Sequence, residues 1–313
     1  MIDFIAEYLG LPLVPPFYGG ENLSGGRSVN FAAASANALP DSFFASKGIQ
    51  VNNANISLVD QLRWFKELFL SNFYQKPSDR KKYLESSLIL VGEIGGNDYN
   101  HALLGGKSME LVETFVPQVV KVIGSTIREI IKLGGLTLMV PGNIPIGCST
   151  TYLTEYKNSK ENDYYDPETG CINWLNKFSQ YHNKQLQSEI SRIQQENPNA
   201  KIIYADYYNA AMRFYRSPQK YGFAKGALTA CCPRCGPYKV EPSSPSQWWP
   251  RRGHKLGPEA CENPSEYVSW DGLHLTEAAY KLIVTNLVPK SFAIPQLNSN
   301  SVCASSLNAL SNH

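Results

Sequence analysis

The chain has 313 residues, 43% of them hydrophobic, and a formal net charge of +2 at pH 7. That is ample apolar material for one large α/β domain or two smaller ones, and the dispersed charges exclude the basic stripe of a nucleic-acid binder. No run approaches the roughly 20 apolar residues of a transmembrane helix.

Residues 1–9 carry two acids, Asp3 and Glu7, and no basic cluster, with apolar residues at Ile2, Ile5 and Leu9. This spacing predicts an amphipathic helix and not a signal peptide. Four short β-rich runs follow along the chain, at residues 28–34, 87–94, 136–141 and 201–205. Between them lie helical stripes. Leu58, Leu62, Phe65 and Phe69 form one, and Val112, Val116, Val119, Ile123, Ile127 and Ile130 form another, with Pro117 as a start or a kink. Leu175, Phe178, His182, Leu186 and Ile190 form a third, ending at the Asn197-Pro198 breaker. These are core faces, and His182 within one reads as a packed residue before it reads as a ligand.

Strands alternating with helices predict a parallel sheet covered on both faces in a single domain. Ligand sites in such sheets lie beyond the carboxyl ends of the strands, which here carry Ala34-Ser35-Ala36, Gly95-Gly96-Asn97-Asp98 and Pro141-Gly142-Asn143. Residues 217–265 form a long irregular excursion rich in Pro, Gly and Cys. Arg251-Arg252 beside Trp248-Trp249 belongs to it and reads as solvated loop.

The seven cysteines are Cys148, Cys171, Cys231, Cys232, Cys235, Cys261 and Cys303, an odd number that leaves at least one unpaired. Cys232-Pro233-Arg234-Cys235 has zinc-ribbon spacing, but no second such pair or His pair follows it. Disulfides in an oxidising compartment explain the cluster better than a metal. A metalloenzyme is disfavoured, since the five histidines show no ligand spacing, and no cofactor is expected. The sequons Asn22-Leu23-Ser24 and Asn55-Ile56-Ser57 fit a secretory origin, although such triplets also arise by chance.

Two short stretches carry chemistry. In Gly95-Gly96-Asn97-Asp98 the glycines let the chain turn sharply, so that the Asn97 amide can donate to a developing oxyanion. The alternative is a plain strand-to-helix turn with Asn97 or Asp98 as cap. In Asp271-Gly272-Leu273-His274-Leu275-Thr276 the carboxylate lies three residues before an imidazole, at the mouth of an apolar helix (Ala278, Ala279, Leu282, Ile283, Leu287). A carboxylate holding one imidazole tautomer is the base half of a Ser-His-Asp triad. The alternative is that Asp271 only caps the helix.

Together these stretches resemble the plant branch of the GDSL esterase/lipase family, the SGNH hydrolases. The third block of that family is similar to Gly92-Glu93-Ile94-Gly95-Gly96-Asn97-Asp98-Tyr99-Asn100, and the fifth to Asp271 through Thr276. The second resembles Val29-Asn30-Phe31-Ala32 through Ala38-Leu39. Val140-Pro141-Gly142-Asn143-Ile144-Pro145-Ile146-Gly147-Cys148 and the Tyr181-His182-Asn183 helix also look like plant members. The resemblance spans nearly the whole chain and implies a flavodoxin-like three-layer α/β sandwich. It makes His274 the general base, Asp271 its orienter, and Asn97 an oxyanion donor. It also implies a small-molecule or lipid ester as substrate and a secreted precursor, whereas a product starting at Met1 would stay in the cytosol.

The sequence departs from the family pattern in three places. The nucleophilic serine belongs to a Gly-Asp-Ser-Leu block on the first strand, and no Gly-Asp-Ser occurs in these residues. Ser35 takes the place of the oxyanion glycine of the second block, which supplies a backbone N–H that Ser also owns. If that site needs positive φ, Ser35 is strained where Gly would not be. Around Cys232-Pro233-Arg234-Cys235 and residues 242–252 the family is more Gly-rich, which leaves the pairing of the cysteines open.

The resemblance therefore implies that the first, central strand is missing. Its loss would remove about five buried side chains at about 1.5–3 kcal/mol each, on the order of a whole domain's stability of about 5–15 kcal/mol. Three functions remain: a serine esterase, a non-catalytic relative that binds an ester-like ligand or a partner, and an acyltransferase on the same scaffold. The literal chain is expected to be inactive.

Overall fold

The computed structural model describes residues 1–18, 28–51, 56–71, 77–157, 164–231, 261–287 and 292–296. The Asn22 sequon, Asn55, Cys232, Cys235, Cys303, Trp248-Trp249 and Arg251-Arg252 lie outside them. The chain divides into two compact units. One takes Ile2–Gly142, Lys184–Ala205 and Val288–His313, and the other takes Asn143–Asn183 and Asp206–Leu287 together with Met1.

The first unit holds the sheet. Its strands are β1 (Leu88–Leu90), β2 (Thr137–Pro141), β3 (Lys201–Ala205) and β4 (Ala293–Ile294), hydrogen-bonded in that order. β1, β2 and β3 are parallel, with Leu88 opposite Thr137 and Thr137 opposite Lys201. Leu138, Met139 and Val140 are consecutive and all buried, because a parallel strand covered on both faces needs an unbroken apolar run and not alternation. The expected parallel sheet gains one antiparallel edge, β4, which pairs Tyr204 with Ile294. A strand of two residues carries no periodicity to read.

The run at residues 28–34 is not a strand. Asn30 alone forms a bridge, with Pro16. Its Oδ1 accepts the Ala32 N–H at 2.9 Å, a local bond that bends the chain out of an extended path. The helices follow their stripes more closely. They begin with α1 (Ile2–Tyr8), α2 (Asp41–Ala45), α3 (Leu58–Ser71), α4 (Pro77–Glu85) and α5 (Gly96–Leu104). The stripe from Val112 to Ile130 divides into α6 (Met109–Glu113) and α7 (Val116–Leu133), with Pro117 in the first turn of α7. Proline costs least there, where its missing N–H has no intrahelical partner anyway. α7 packs on α3.

The second unit is helical. A single 3₁₀ turn (Ile146–Cys148) leads into α8 (Thr150–Glu155). Then come the first part of α9 (Asn173–Glu196), α10 (Tyr207–Arg216) and α11 (Glu277–Leu287). α10 packs on α11, burying Ala210, Phe214, Ile283 and Leu287. Asp206 caps α10 by accepting the Asn209 N–H at 3.0 Å. Two disulfides, Cys148–Cys171 and Cys231–Cys261, both belong to this unit. Among the described residues no helix is long and apolar enough to cross a membrane.

Gly147 leaves no room for a side chain. Its N–H donates to Asn176 Oδ1 at 2.9 Å and its carbonyl accepts from the Ile172 N–H at 2.8 Å. A Cβ at this position would run into the Ile172 carbonyl and the Asn176 side chain. Gly147→Ala is therefore expected to destabilise the protein by about 1–3 kcal/mol, the usual cost of forcing a methyl group into packed structure. Chemical denaturation of the two proteins checks this, and an unchanged midpoint would contradict it.

Candidate active site

Gly272 has φ 105°, which turns the backbone sharply between Asp271 and Leu273. The turn folds the Asp271 carboxylate back onto the residues after it. Oδ1 accepts the Leu273 N–H at 3.0 Å and the His274 N–H at 2.7 Å, and Oδ2 meets His274 Nδ1 at 2.6 Å. The turn is closed on its other side by the Trp270 N–H, which donates to the His274 carbonyl at 2.9 Å. Asp271 is thus held by its own backbone and holds the imidazole in turn.

The capping alternative for Asp271 fails on geometry. α11 begins at Glu277, and Thr276 Oγ1 accepts the Ala279 N–H at 3.3 Å. Burial pushes the Asp271 carboxyl upward, but the His274 hydrogen bond and charge with the backbone donors outweigh it and hold it below 3.8. An ionised Asp271 on Nδ1 holds a proton there, which in a neutral imidazole leaves the lone pair on Nε2. The imidazole is 57% exposed and so open to a reactant.

In the first unit, Asn97 and Asp98 bond to the loop that follows Ser35. Ser35 has φ 63°, and among the described residues it is the non-glycine with positive φ. Asn97 Nδ2 donates to the Ala36 carbonyl at 3.1 Å, a bond that uses one of its two N–H groups. Neither Asn97 nor Asp98 caps α5. The cap position is Gly95, with φ 102° and no side-chain cap bond. The Asp98 carboxylate instead accepts the Ala38 N–H at 2.8 Å and the Leu39 N–H at 2.9 Å. The first turn of α5 therefore grips the loop 36–39 at three points. The sequence singled out Asn97 and missed the clamp made by Asp98, because a contact about 60 residues away in the chain leaves no local pattern.

His182 is fully buried in α9, and burial lowers its pKa to about 4, in keeping with a packed residue. Among the described residues no group of three or more His, Cys, Asp or Glu could hold a metal ion. Cys231, from the Cys-rich cluster, is bonded to Cys261.

Two substitutions test the loop at residues 35–39. The left-handed conformation costs a non-glycine residue on the order of 1 kcal/mol or more. Ser35→Gly is expected to be neutral or stabilising by up to about 1 kcal/mol, and the β-branched Ser35→Val to be clearly destabilising. Urea midpoints of both variants check the pair, and the reverse order would refute the strain. Asp98 is fully buried, and that burial raises its pKa from 3.8 to about 7 against its backbone hydrogen bonds. Between those values the native state keeps a proton that the unfolded chain has released. The contribution of this group to stability therefore falls as pH rises from about 4 to about 7. Relative to wild type, Asp98→Asn should gain across that window, by at most about 1.4 kcal/mol per pH unit. A difference in stability that stays constant with pH would show that Asp98 is ionised throughout.

Comparison with known proteins identifies the family. Residues 1–287 match the family described as GDSL-like lipase/acylhydrolase. GDSL esterase/lipase At1g28570 of Arabidopsis thaliana is 49% identical over 295 residues, which are 94% of this chain and 74% of that protein. GDSL esterase/lipase At1g28590 of the same plant is 48% identical over 311 residues, 99% of this chain and 75% of that protein. Sinapine esterase of Brassica napus is 43% identical over 310 residues, 98% of this chain and 77% of that protein. With its α/β fold and mostly parallel sheet, the chain belongs to the GDSL-like lipase/acylhydrolase family and is by family a serine hydrolase of esters.

Proposed function

We propose that these residues form the base and oxyanion parts of a carboxylic ester hydrolase that works through a serine acyl-enzyme. The observation that carries the reading is the 2.6 Å contact between Asp271 Oδ2 and His274 Nδ1. In the reaction, a serine hydroxyl attacks the ester carbonyl while His274 Nε2 takes its proton. The Asn97 amide and the Ser35 N–H stabilise the oxyanion. His274 returns the proton to the departing alkoxide, leaving an acyl-serine. Water then attacks with its proton going to Nε2, and the acid leaves as the serine recovers its hydrogen.

The serine is the one part that these residues do not contain, since no Gly-Asp-Ser occurs among them. β1 pairs with β2 on one side and with no strand on the other among the described residues, which accords with a further strand there. The literal chain is then a non-catalytic form that can still bind an ester-like ligand. Two disulfides in the helical unit support an oxidising, extracellular setting for the whole protein.

The test uses short acyl esters and a fluorophosphonate probe. The 313-residue chain should show no turnover and no labelling. A protein that also carries a Gly-Asp-Ser-Leu block should show both, and His274→Ala in it should lower kcat by roughly 10³-fold or more. Labelling of the shorter chain, or a His274→Ala protein as active as its parent, would overturn the assignment. Addition of a competing alcohol separates hydrolysis from acyl transfer through the product formed.

A further inference from the structure

The Val140–Cys148 stretch and the Tyr181-His182-Asn183 helix stand apart from the reaction described above, yet the structure joins them to the base. Four peptide groups of the loop after β2 bond to one face of α9. The Asn143 N–H donates to Asn183 Oδ1 at 2.7 Å, and Asn183 Nδ2 donates back to the Asn143 carbonyl at 3.0 Å. The Ile146 N–H donates to Ser179 Oγ at 3.3 Å, and the Gly147 N–H to Asn176 Oδ1 at 2.9 Å. Asn176, Ser179 and Asn183 are buried and spaced i, i+3 and i+7, so they share a single helix face. The Cys148–Cys171 disulfide ties the same loop to the segment leading into α9.

That braced loop ends at Ser149, the N-cap residue of α8. A serine there ordinarily accepts an N–H from its own helix, but Ser149 makes no such bond. Its hydroxyl donates instead to the Gly272 carbonyl at 2.5 Å, and the Thr151 N–H donates to the same oxygen at 3.2 Å. Gly272 is the residue whose positive φ turns Asp271 back toward His274. The hydroxyl and the helix N–H that would meet in a cap are thus both spent on one carbonyl of the base loop. A local rule broken in this way is the mark of a position kept for something other than local stability.

We propose that Ser149 is a positioning residue for the Asp271–His274 pair. It fixes the peptide plane of Gly272, while the Asn176, Ser179 and Asn183 face of α9 holds Ser149 in place. The proposal rests on the reading of His274 as the base. Its test needs no turnover, so failure of the positioning and failure of the ester-hydrolase assignment are told apart.

The experiment is proton NMR of the 313-residue chain, following the His274 Nδ1 proton and the exchange of the Leu273 and His274 amides. Ser149→Ala is expected to lose the slowly exchanging Nδ1 signal and to speed exchange of both amides roughly tenfold, in line with one lost hydrogen bond. Ser149→Thr, which keeps the hydroxyl, is expected to restore both readouts. If Ser149→Ala does not fold, Ser149→Gly, which also lacks the hydroxyl and is tolerated at an N-cap, takes its place under the same criteria. An alanine or glycine variant with the wild-type Nδ1 signal would overturn the proposal. So would a threonine variant that folds and fails to restore it.

Discussion

A loop that carries catalytic side chains has no strand or helix ladder to satisfy its peptide groups, and a buried peptide group without a partner is costly. Much of this structure answers that constraint. The carboxylates and carboxamides that stand out bind loop backbone first, two of them from helices and one from within its own loop. Asp98 takes the N–H groups of Ala38 and Leu39, Asn183 pairs with both polar atoms of Asn143, and Asp271 takes the N–H groups of Leu273 and His274. Each bond replaces a missing ladder contact and also removes a degree of freedom from the loop it joins.

Placement of charge follows the same logic. Asp271 is partly exposed and faces an imidazole, so its carboxyl is held low and ionised. Asp98 is sealed from solvent with backbone donors alone, so its carboxyl is pushed up to about 7. Two aspartates of the same chain thus take opposite directions because one meets a partner that can carry charge and the other meets only dipoles. The first can orient a base, and the second serves as a clamp.

Much of the architecture was legible along the chain. The spacing of Val116, Val119, Ile123, Ile127 and Ile130 marks α7, the unbroken run Leu138-Met139-Val140 marks a doubly covered strand, and Asn197-Pro198 marks the end of α9. The contact between Asp271 and His274 was equally legible, since three residues separate the two groups. Residues 28–34 misled, because β-forming side chains compete there with an Asn30 bond to the Ala32 N–H that propensity does not register. The role of Asp98, the diverted Ser149 hydroxyl and the polar face of α9 were not legible at all.

The sequence by itself determined the class of fold, the family and the pairing of Asp271 with His274. Periodicity, breakers and a three-residue spacing are local quantities, and local quantities can be read in one dimension. The tertiary structure decided which helix cap is surrendered to a neighbouring carbonyl, which aspartate carboxyl is pushed upward by burial, and which face of α9 is polar for a reason. Those outcomes depend on partners about 30 to more than 120 residues away, and on burial that exists only once the chain has folded around them.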